Sequence, residues 1–471
     1  MKRIIAIVVA LITLWSVDSA TAQSRTSYFM EGSYFRTDLN PALIPTRGYI
    51  ALPGISGVGV DVPSNFLSVD NFIYKRDGQM VTALHKSVSS KEFLGRLPEL
   101  GRVGVNANVN ILSAGFYHDK TYWNFGLRLR STTDINISKE LFAILKTMES
   151  GSYNLASTNI NSNSYLETYL GASFPVGDYV NIGVRGKFLV GLESMYTEFE
   201  RVEASVGQDR LAATLRGRVV ANTILVDRSK LRPGDMVSLD MFDLSSANSM
   251  LKSARSFGAA LDLGVEVKVC NDHLKVSAAV VDLGFIKWSA STNCSAVGSY
   301  DLSFEGYDIE AEELNANFGG EFVIENPSPK GYVSMLNASF NVGVEYNFLS
   351  NHFALGLLSH TELYDKKLFT ELTASLNIRA TNWLSATVSH TFLANHKLGV
   401  LGAALNIHPR GINIFIGADF IDTRYVRFKH YPVPRYQNSL NLYVGIGFNF
   451  ARPKCERYTE CGRMRNGRRV N

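Results

Sequence analysis

Residues 336–348 read LNASFNVGVEYNF, in which apolar residues alternate with Asn, Ser, Gly and Glu. The last such stretch, residues 440–450, reads LNLYVGIGFNF. A period of two places successive side chains on opposite faces of a β-strand, so each stretch predicts a strand with one apolar and one polar face. Both runs exceed the roughly 5–6 residues of an ordinary strand and suit a strand that crosses a membrane, which needs about 9–11.

The same alternation recurs along the chain. It occurs over residues 103–111, 122–130, 180–188, 257–269 and 368–379. A count of all such segments gives about 14–16 strands, within the range of single-chain outer-membrane barrels. We therefore predict an all-β protein, an antiparallel transmembrane β-barrel with lipid on its apolar face and a polar lumen. The alternative is a large periplasmic β-protein whose apolar faces pack inward.

Composition excludes three other classes. The 471 residues are 46% apolar and 19% charged with mean hydropathy 0.00, which excludes a disordered chain. A bundle of membrane helices needs several long apolar runs, which the sequence lacks. The formal net charge of +4 is too balanced to indicate a nucleic-acid partner.

The amino terminus carries an export signal. Lys2 and Arg3 precede an apolar stretch over residues 4–17, and Ala20-Thr21-Ala22 has the small-x-small pattern of a cleavage site. We predict that residues 1–22 are a cleaved signal peptide and that the mature protein is a multi-pass barrel of the cell outer membrane. The alternative, a retained anchor helix, would need about 20 apolar residues.

The remaining chain divides into three predicted parts. Residues 23–101 are rich in proline, which central strands do not tolerate, so we predict a hatch or plug segment there, with an extended arm plus a first strand as the alternative. Residues 102–450 form the predicted transmembrane β-barrel. Residues 451–471 form a basic tail with seven basic and two acidic residues, which favours contact with anionic lipid headgroups or another protein.

The four cysteines do not indicate a metal site. Cys270, Cys294, Cys455 and Cys461 lack the paired spacing of zinc ligands. Export permits disulfides, and four cysteines allow three pairings. Because Cys455 and Cys461 lie close together in the tail, this pair is the favoured candidate disulfide.

Charged residues of both signs lie on the predicted lumen face, where we expect them to neutralise one another as ion pairs. They are Asp262, Glu266, Asp282, Glu345, Glu371, Arg128, Arg130, Arg185, Lys187, Lys268 and Arg379. Ser389 and His390 are adjacent in one strand and point to opposite faces, so they cannot act as a nucleophile and its base. We predict no catalytic, cofactor-binding or metal-binding residue, no cofactor, and a protein that is not an enzyme.

Short motifs add a family resemblance. Asn40-Pro41-Ala42 resembles the NPA element in the hatch of the FadL family of fatty-acid transporters. Residues 281–288 and 409–419 resemble segments of an uncharacterised outer-membrane family, domain of unknown function 5723, which itself resembles the FadL/PorV superfamily of hatch-containing barrels. Residues 445–450 resemble the carboxy-terminal signal that the outer-membrane assembly machinery recognises, although the chain continues to Asn471.

The resemblance implies a barrel with a hatch, most simply one that binds or passes small hydrophobic molecules through the hatch and a gap in the wall. The alternative is a non-transporting scaffold or adaptor barrel of a secretion or surface-assembly system, such as type IX secretion. A lipid hydrolase is a third and weaker hypothesis. The expected partners are outer-membrane lipid, the assembly machinery, a small hydrophobic ligand and, in the alternative, secretion-system proteins.

Overall fold

The computed structural model describes residues 25–53, 56–62, 64–147, 151–199, 201–206, 211–224, 228–236, 255–269, 273–308, 313–326, 329–364, 367–393, 399–421, 425–428, 431–435 and 440–450. Within these ranges the α-helices are α1 Val69–Phe72, α2 Ser90–Leu94 and α3 Lys139–Thr147. Short 3₁₀ turns cover Arg25–Ser27, Tyr34–Asp38, Arg228–Lys230 and Ala290–Thr292. None of the described helices is long and apolar enough to cross a membrane.

Strands make up most of the described chain. They are β1 Gly48–Ala51, β2 Val58–Val62, β3 Ile73–Arg76, β4 Gln79–Thr82, β5 Leu100–His118, β6 Thr121–Ser138, β7 Gly151–Asn154, β8 Asn159–Val176, β9 Val180–Phe199, β10 Arg201–Val206, β11 Leu211–Thr223, β12 Ser256–Val269, β13 Leu274–Trp288, β14 Asn293–Asp308, β15 Glu313–Asn326, β16 Tyr332–Met335, β17 Ser339–Phe348, β18 Phe353–Tyr364, β19 Lys367–Arg379, β20 Leu384–Leu393, β21 Val400–Ile407, β22 Asn413–Ile421, β23 Tyr425–Phe428, β24 Tyr431–Pro434 and β25 Leu440–Phe450.

The wall is a closed antiparallel barrel of fourteen strands. β1 and β2 together occupy one position, and both pair with β5 on one side and with β25 on the other. From β5 the wall continues through β6, β8, β9, β12, β13, β17, β18, β19, β20, β21 and β22, which pairs with β25 and closes the ring. Closure pairs the backbone groups of every wall strand, as a lipid environment requires. The predicted fold class and strand number are therefore confirmed.

The two faces of the wall differ as the alternation predicts. In β17, Val342 and Tyr346 face outward and are 51% and 53% exposed, whereas Asn341 and Glu345 face the lumen and are 0% and 1% exposed. Leu, Val and Phe side chains elsewhere in the wall are exposed on the same outer face. An apolar exterior around a polar interior is the arrangement of an outer-membrane barrel and contradicts the inward-packed alternative.

The two rims also differ. Residues 119–120, 177–179 and 380–383 join neighbouring wall strands by short connections at one rim. At the opposite rim, residues 64–99 and helix α3 build a small apolar core of their own, in which Phe66 contacts Phe142 at a ring distance of 5.5 Å. Short turns at one rim and longer segments at the other are typical of outer-membrane barrels.

Residues 25–47 lie inside the barrel, largely buried, and we call this segment the plug. The range predicted as one hatch, residues 23–101, thus contains three different parts in the structure. Its beginning is the plug, β1 and β2 belong to the wall, and residues 64–99 lie at the rim. The division of the chain at residues 22, 101 and 450 stays a prediction.

Several predicted features concern residues that the structure does not describe. The signal peptide 1–22, the basic tail 451–471 and its cysteines Cys455 and Cys461 lie outside the described residues, as does Cys270. Cys294 is half-buried in β14, where its Cα faces that of Ala221 in β11.

Candidate functional site

The plug lies close against the wall at two glycines. Gly183 of β9 and Gly264 of β12 are direct partners in neighbouring strands. A Cβ atom added at Gly183 would overlap the backbone of Pro41 and Ala42, and one added at Gly264 would overlap Asn40 Oδ1. The absence of side chains at these two positions therefore makes room for the plug.

The side chain of Asn40 is fully buried at this contact, and both its oxygen and its nitrogen form hydrogen bonds. Its Oδ1 accepts a hydrogen bond from the backbone N–H of Ala42 at 2.9 Å. Its Nδ2 donates to the Tyr28 hydroxyl at 3.2 Å and to the Ala278 carbonyl at 3.3 Å. Ser173 donates to the carbonyl oxygen of Pro41 at 2.6 Å. Asn40 and Pro41 thus bind the wall, and Asn40 also binds Ala42. The role of these three residues as a hatch motif remains a prediction.

Two carboxylates of the plug neutralise basic side chains of the wall. Asp38 lies 2.7 Å from Arg185 Nη1 and 3.1 Å from Arg128 Nη1. Glu31 pairs with Lys275. The sequence predicted the lumen position of both arginines. It did not predict that the plug supplies their partner, because Asp38 lies 147 residues before Arg185 in the chain.

The wall also contains ion pairs of its own. Lys187 Nζ lies 2.6 Å from Asp262 and 2.5 Å from Asp282, and Arg130 lies 2.8 Å from Asp282. A charge buried in a barrel is tolerated where an opposite charge compensates it. The predicted pairing of lumen charges with one another is confirmed for Arg130, Arg185, Lys187, Asp262, Asp282, Glu345 and Arg379. Arg128 and Glu371 also form ion pairs, but with residues that the sequence did not single out, namely Glu167 and Arg25.

The first wall strand is interrupted. β1 ends at Ala51 and β2 begins at Val58, while the neighbouring strands β5 and β25 run on without a break. Within the interruption, Ser56 donates to the carbonyl oxygen of Asn110, and the Asn110 N–H donates to the carbonyl of Gly57 at 2.9 Å. This is a place where the ladder of backbone hydrogen bonds around the wall is locally irregular.

An aromatic cluster of the lumen lies beside this interruption. Tyr34 of the plug stacks on Tyr49 of β1 with ring centroids 4.1 Å apart. Phe35 lies 5.1 Å from Phe415, which stacks on Tyr443 at 5.0 Å. The Tyr34 hydroxyl donates to the Ser56 carbonyl at 2.9 Å, which joins the cluster to the interruption. We call Tyr34, Phe35, Tyr49, Phe415 and Tyr443 the aromatic cluster.

A second irregularity changes which side chains of β13 face the lumen. A bulge opposite Asp262 places Asp282 at φ +62° and lets its N–H donate to Asp262 Oδ1 at 2.8 Å. Before the bulge the buried residues of β13 have odd numbers, up to Val281. After the bulge they have even numbers and include Ile286 and Trp288. The bulge therefore turns apolar side chains inward near the rim that carries residues 64–99.

Ser389 and His390 point to opposite faces of β20, as the alternation predicts. Ser389 faces inward and its Oγ lies 2.6 Å from Thr26 Oγ1, whereas His390 packs against the outward Phe392 at 4.6 Å. His360 is buried, with Nδ1 2.6 Å from Asn341 Oδ1. Within the described ranges no three His, Cys, Asp or Glu residues form a group that could hold a metal ion.

Comparison with solved structures finds barrels of similar length. The toluene transporter TbuX of Ralstonia pickettii has 8% sequence identity and a TM-score of 0.42, with 89% of this chain and 95% of that chain covered. The toluene transporter TodX of Pseudomonas putida has 11% identity and a TM-score of 0.37, with 92% and 96% covered. A FadL homologue of Pseudomonas aeruginosa has 10% identity and a TM-score of 0.37, with 92% and 98% covered.

Comparison with curated protein sequences gives no match. A family model does match, over residues 41–419, and its description is a family of unknown function, DUF5723. The match begins at Pro41 in the plug and ends in β22, so it covers the wall almost completely. This protein therefore belongs to the DUF5723 family.

Proposed function

We propose that this outer-membrane barrel binds a small hydrophobic molecule at the aromatic cluster and passes it through the interruption of the first wall strand. The observation that carries the proposal is the position of the cluster. Most of the lumen is lined by polar and charged side chains, which do not favour an apolar molecule, but the cluster offers it aromatic surface. The cluster is joined to the interruption by the hydrogen bond from the Tyr34 hydroxyl to the Ser56 carbonyl.

Passage requires the plug to move. Tyr34 and Phe35 belong to the plug, whereas Tyr49, Phe415 and Tyr443 belong to the wall, so a shift of the plug separates the two halves of the cluster. The rings are in stacking contact in the described structure. A hydrophobic ligand would therefore replace contacts between rings with contacts of its own.

The test uses the fluorescent probe 1-N-phenylnaphthylamine. We expect purified wild-type protein to bind it above the background of empty detergent micelles. We expect Phe35→Ala to weaken binding by about tenfold, the equivalent of about 1.4 kcal/mol. The control Phe340→Ala removes the same ring from the lipid face and should leave binding unchanged. Equal binding by all three proteins, together with probe entry into expressing cells no faster than with an empty vector, contradicts the proposal.

A non-transporting scaffold of a secretion or surface-assembly system is the second candidate. The ion pairs of Asp38 and Glu31 favour it, because they fix the plug to the wall and oppose its movement. In this case, affinity purification should retain a partner in stoichiometric amount, and Phe35→Ala should not affect its recovery. Loss of the partner on deletion of residues 451–471 would assign the contact to the tail.

A further inference from the structure

The last wall strand has a stretch that, among the described residues, is paired on one side only. Residues 445–447 of β25 pair with β22. On their other side, β2 pairs with β25 as far as Val58, which faces Val444, and β1 resumes at Ile50, which faces Phe448. The eight residue steps from Ile50 to Val58 therefore lie opposite only four steps of β25. We call residues 445–447, with the strand break opposite them, the window.

The chain opposite the window turns into the lumen. Gly445 and Gly447 are buried and alternate with exposed apolar residues of β25, so both face inward. A Cβ atom added at Gly445 would therefore point into the lumen, and there it would lie 3.0 Å from the carbonyl oxygen of Ser56. Ser56 is thus on the inner side of β25 and not beside it in the wall. The residues of the first strand that exceed those of β25 leave the plane of the wall here.

Both inward positions of the window are glycine, and a ring of the plug covers each. A Cβ atom added at Gly445 would overlap Phe35 Cζ, and one added at Gly447 would lie 2.9 Å from Tyr34 Cε1. Neither glycine has a positive φ, so neither is needed for its backbone conformation. A glycine inside a strand also marks a place where another group approaches closely. The space over the window is therefore filled by two rings of an element that is not part of the wall.

We propose that Gly445 and Gly447 determine how wide a molecule the window admits. This inference rests on the function proposed above, in which the plug moves and the molecule leaves through the strand break. Once Phe35 and Tyr34 withdraw with the plug, the two glycines contribute only backbone to the inner side of the window. A side chain at either position narrows the window from the lumen, and it therefore excludes wide molecules before narrow ones.

The test separates this role from the simpler one of making room for the rings. The variant Phe35→Ala removes the ring over Gly445, so a side chain added there has no ring to displace. Phe35→Ala/Gly445→Val is compared with Phe35→Ala alone. The matched control is Phe35→Ala/Gly186→Val, because a Cβ atom at Gly186 has open space around it. All proteins are expressed with the full chain and checked for folding by heat-dependent gel mobility.

Two fluorescent hydrocarbons that differ in width serve as probes. Diphenylhexatriene is a rod with the width of a single ring, whereas pyrene is a flat sheet of fused rings. The rate of entry into expressing cells is measured for each probe and given as the ratio of pyrene to diphenylhexatriene. A change that affects both probes equally, such as the weaker binding expected of Phe35→Ala, cancels in this ratio.

In the Phe35→Ala background we expect Gly445→Val to lower the ratio about tenfold, the low end of what a methylene group discriminates in an apolar pocket. Gly186→Val should leave the ratio unchanged. Should Phe35→Ala/Gly445→Val not fold, Gly445→Ala in the same background replaces it with the same expected direction. An unchanged ratio or an equal loss of both probes, while the wild type admits both, overturns this inference alone. Entry of both probes no faster than with an empty vector, in the wild type and in Phe35→Ala, overturns the proposed function and this inference together.

Discussion

Gly183 and Gly264 set the distance between the plug and the wall. They are paired across β9 and β12; the backbone of Pro41 lies over Gly183, and the Asn40 side chain lies over Gly264. Neither position needs glycine for its own conformation, since neither has a positive φ. What each needs is the absence of a Cβ atom, so the contact depends on space and not on backbone freedom.

We predict that Gly183→Val lowers the free energy of unfolding by about 1–3 kcal/mol, the usual cost of overpacking a close contact. The new side chain would overlap Pro41 and force the plug away from β9. Gly186→Val on the same strand is the control, because a Cβ there has open space around it. Urea unfolding in detergent measures both. Equal stability of the two variants would mean that the plug does not press on β9.

Asp38 is the residue at which the charges of plug and wall meet. It lies between Arg128 and Arg185, and these arginines also contact Glu167 and Asp262 of the wall. The wall carboxylates could be foreseen from the alternation, since they occupy the same face as the arginines. Asp38 could not, because no pattern in the sequence relates a 3₁₀ turn to strands far along the chain.

At the scale of elements, the alternation of apolar and polar residues predicts the wall strands but does not predict where a strand is interrupted or bulged. The break between β1 and β2 and the bulge at Asp282 are each a few residues long. The alternation over residues 257–269 predicts a continuous strand, and the partner strand carries the bulge. The break between β1 and β2 lies within residues 23–101, for which the sequence predicts a hatch and no wall strand. The bulge depends on which strands are neighbours, and that is a property of the closed sheet.

The plug is a separate element and contributes no strand to the closed wall. β1 and β2 already close the ring against β25, and both follow the plug in the chain. We predict that deletion of residues 25–44 leaves a folded barrel with a large single-channel conductance in planar lipid bilayers, because it removes the side chains that fill the lumen. Deletion of residues 452–471, also 20 residues, is the control and should leave conductance unchanged.

A folded plug-deletion variant with wild-type conductance would show that other residues block the lumen. A variant that does not fold would show that the ion pairs of the plug are required to assemble the wall. The two outcomes are distinguished by heat-dependent gel mobility, which reports on the closed barrel alone.

At the scale of the whole molecule, closure makes the barrel cooperative. Each wall strand has two neighbours, so no strand separates without breaking two ladders of hydrogen bonds. We predict that the outer-membrane fraction contains the protein and that it migrates faster in dodecyl sulfate gels before boiling than after. Deletion of residues 440–450, which removes the closing strand β25, should abolish this difference. A wild-type protein without heat-dependent mobility would contradict the closed barrel.

Much of the architecture could be predicted before the structure was known. The strand number, the apolar exterior and the pairing of lumen charges all follow from alternation, because lipid and an enclosed interior demand opposite side chains on successive positions. The location of residues 64–99 could not be predicted. Their helical pattern fits either a hatch or a rim segment, and the contact of Phe66 with Phe142 places them at the rim.

The sequence by itself determined that this chain forms a membrane barrel, since a local pattern with period two specifies which face of each strand meets lipid. Only the tertiary structure decided what fills the barrel. The contact of Asn40 with two glycines and the pairing of Asp38 with two arginines join segments that are distant in the chain. Such contacts arise from the closure of the sheet around the plug, which no local pattern encodes.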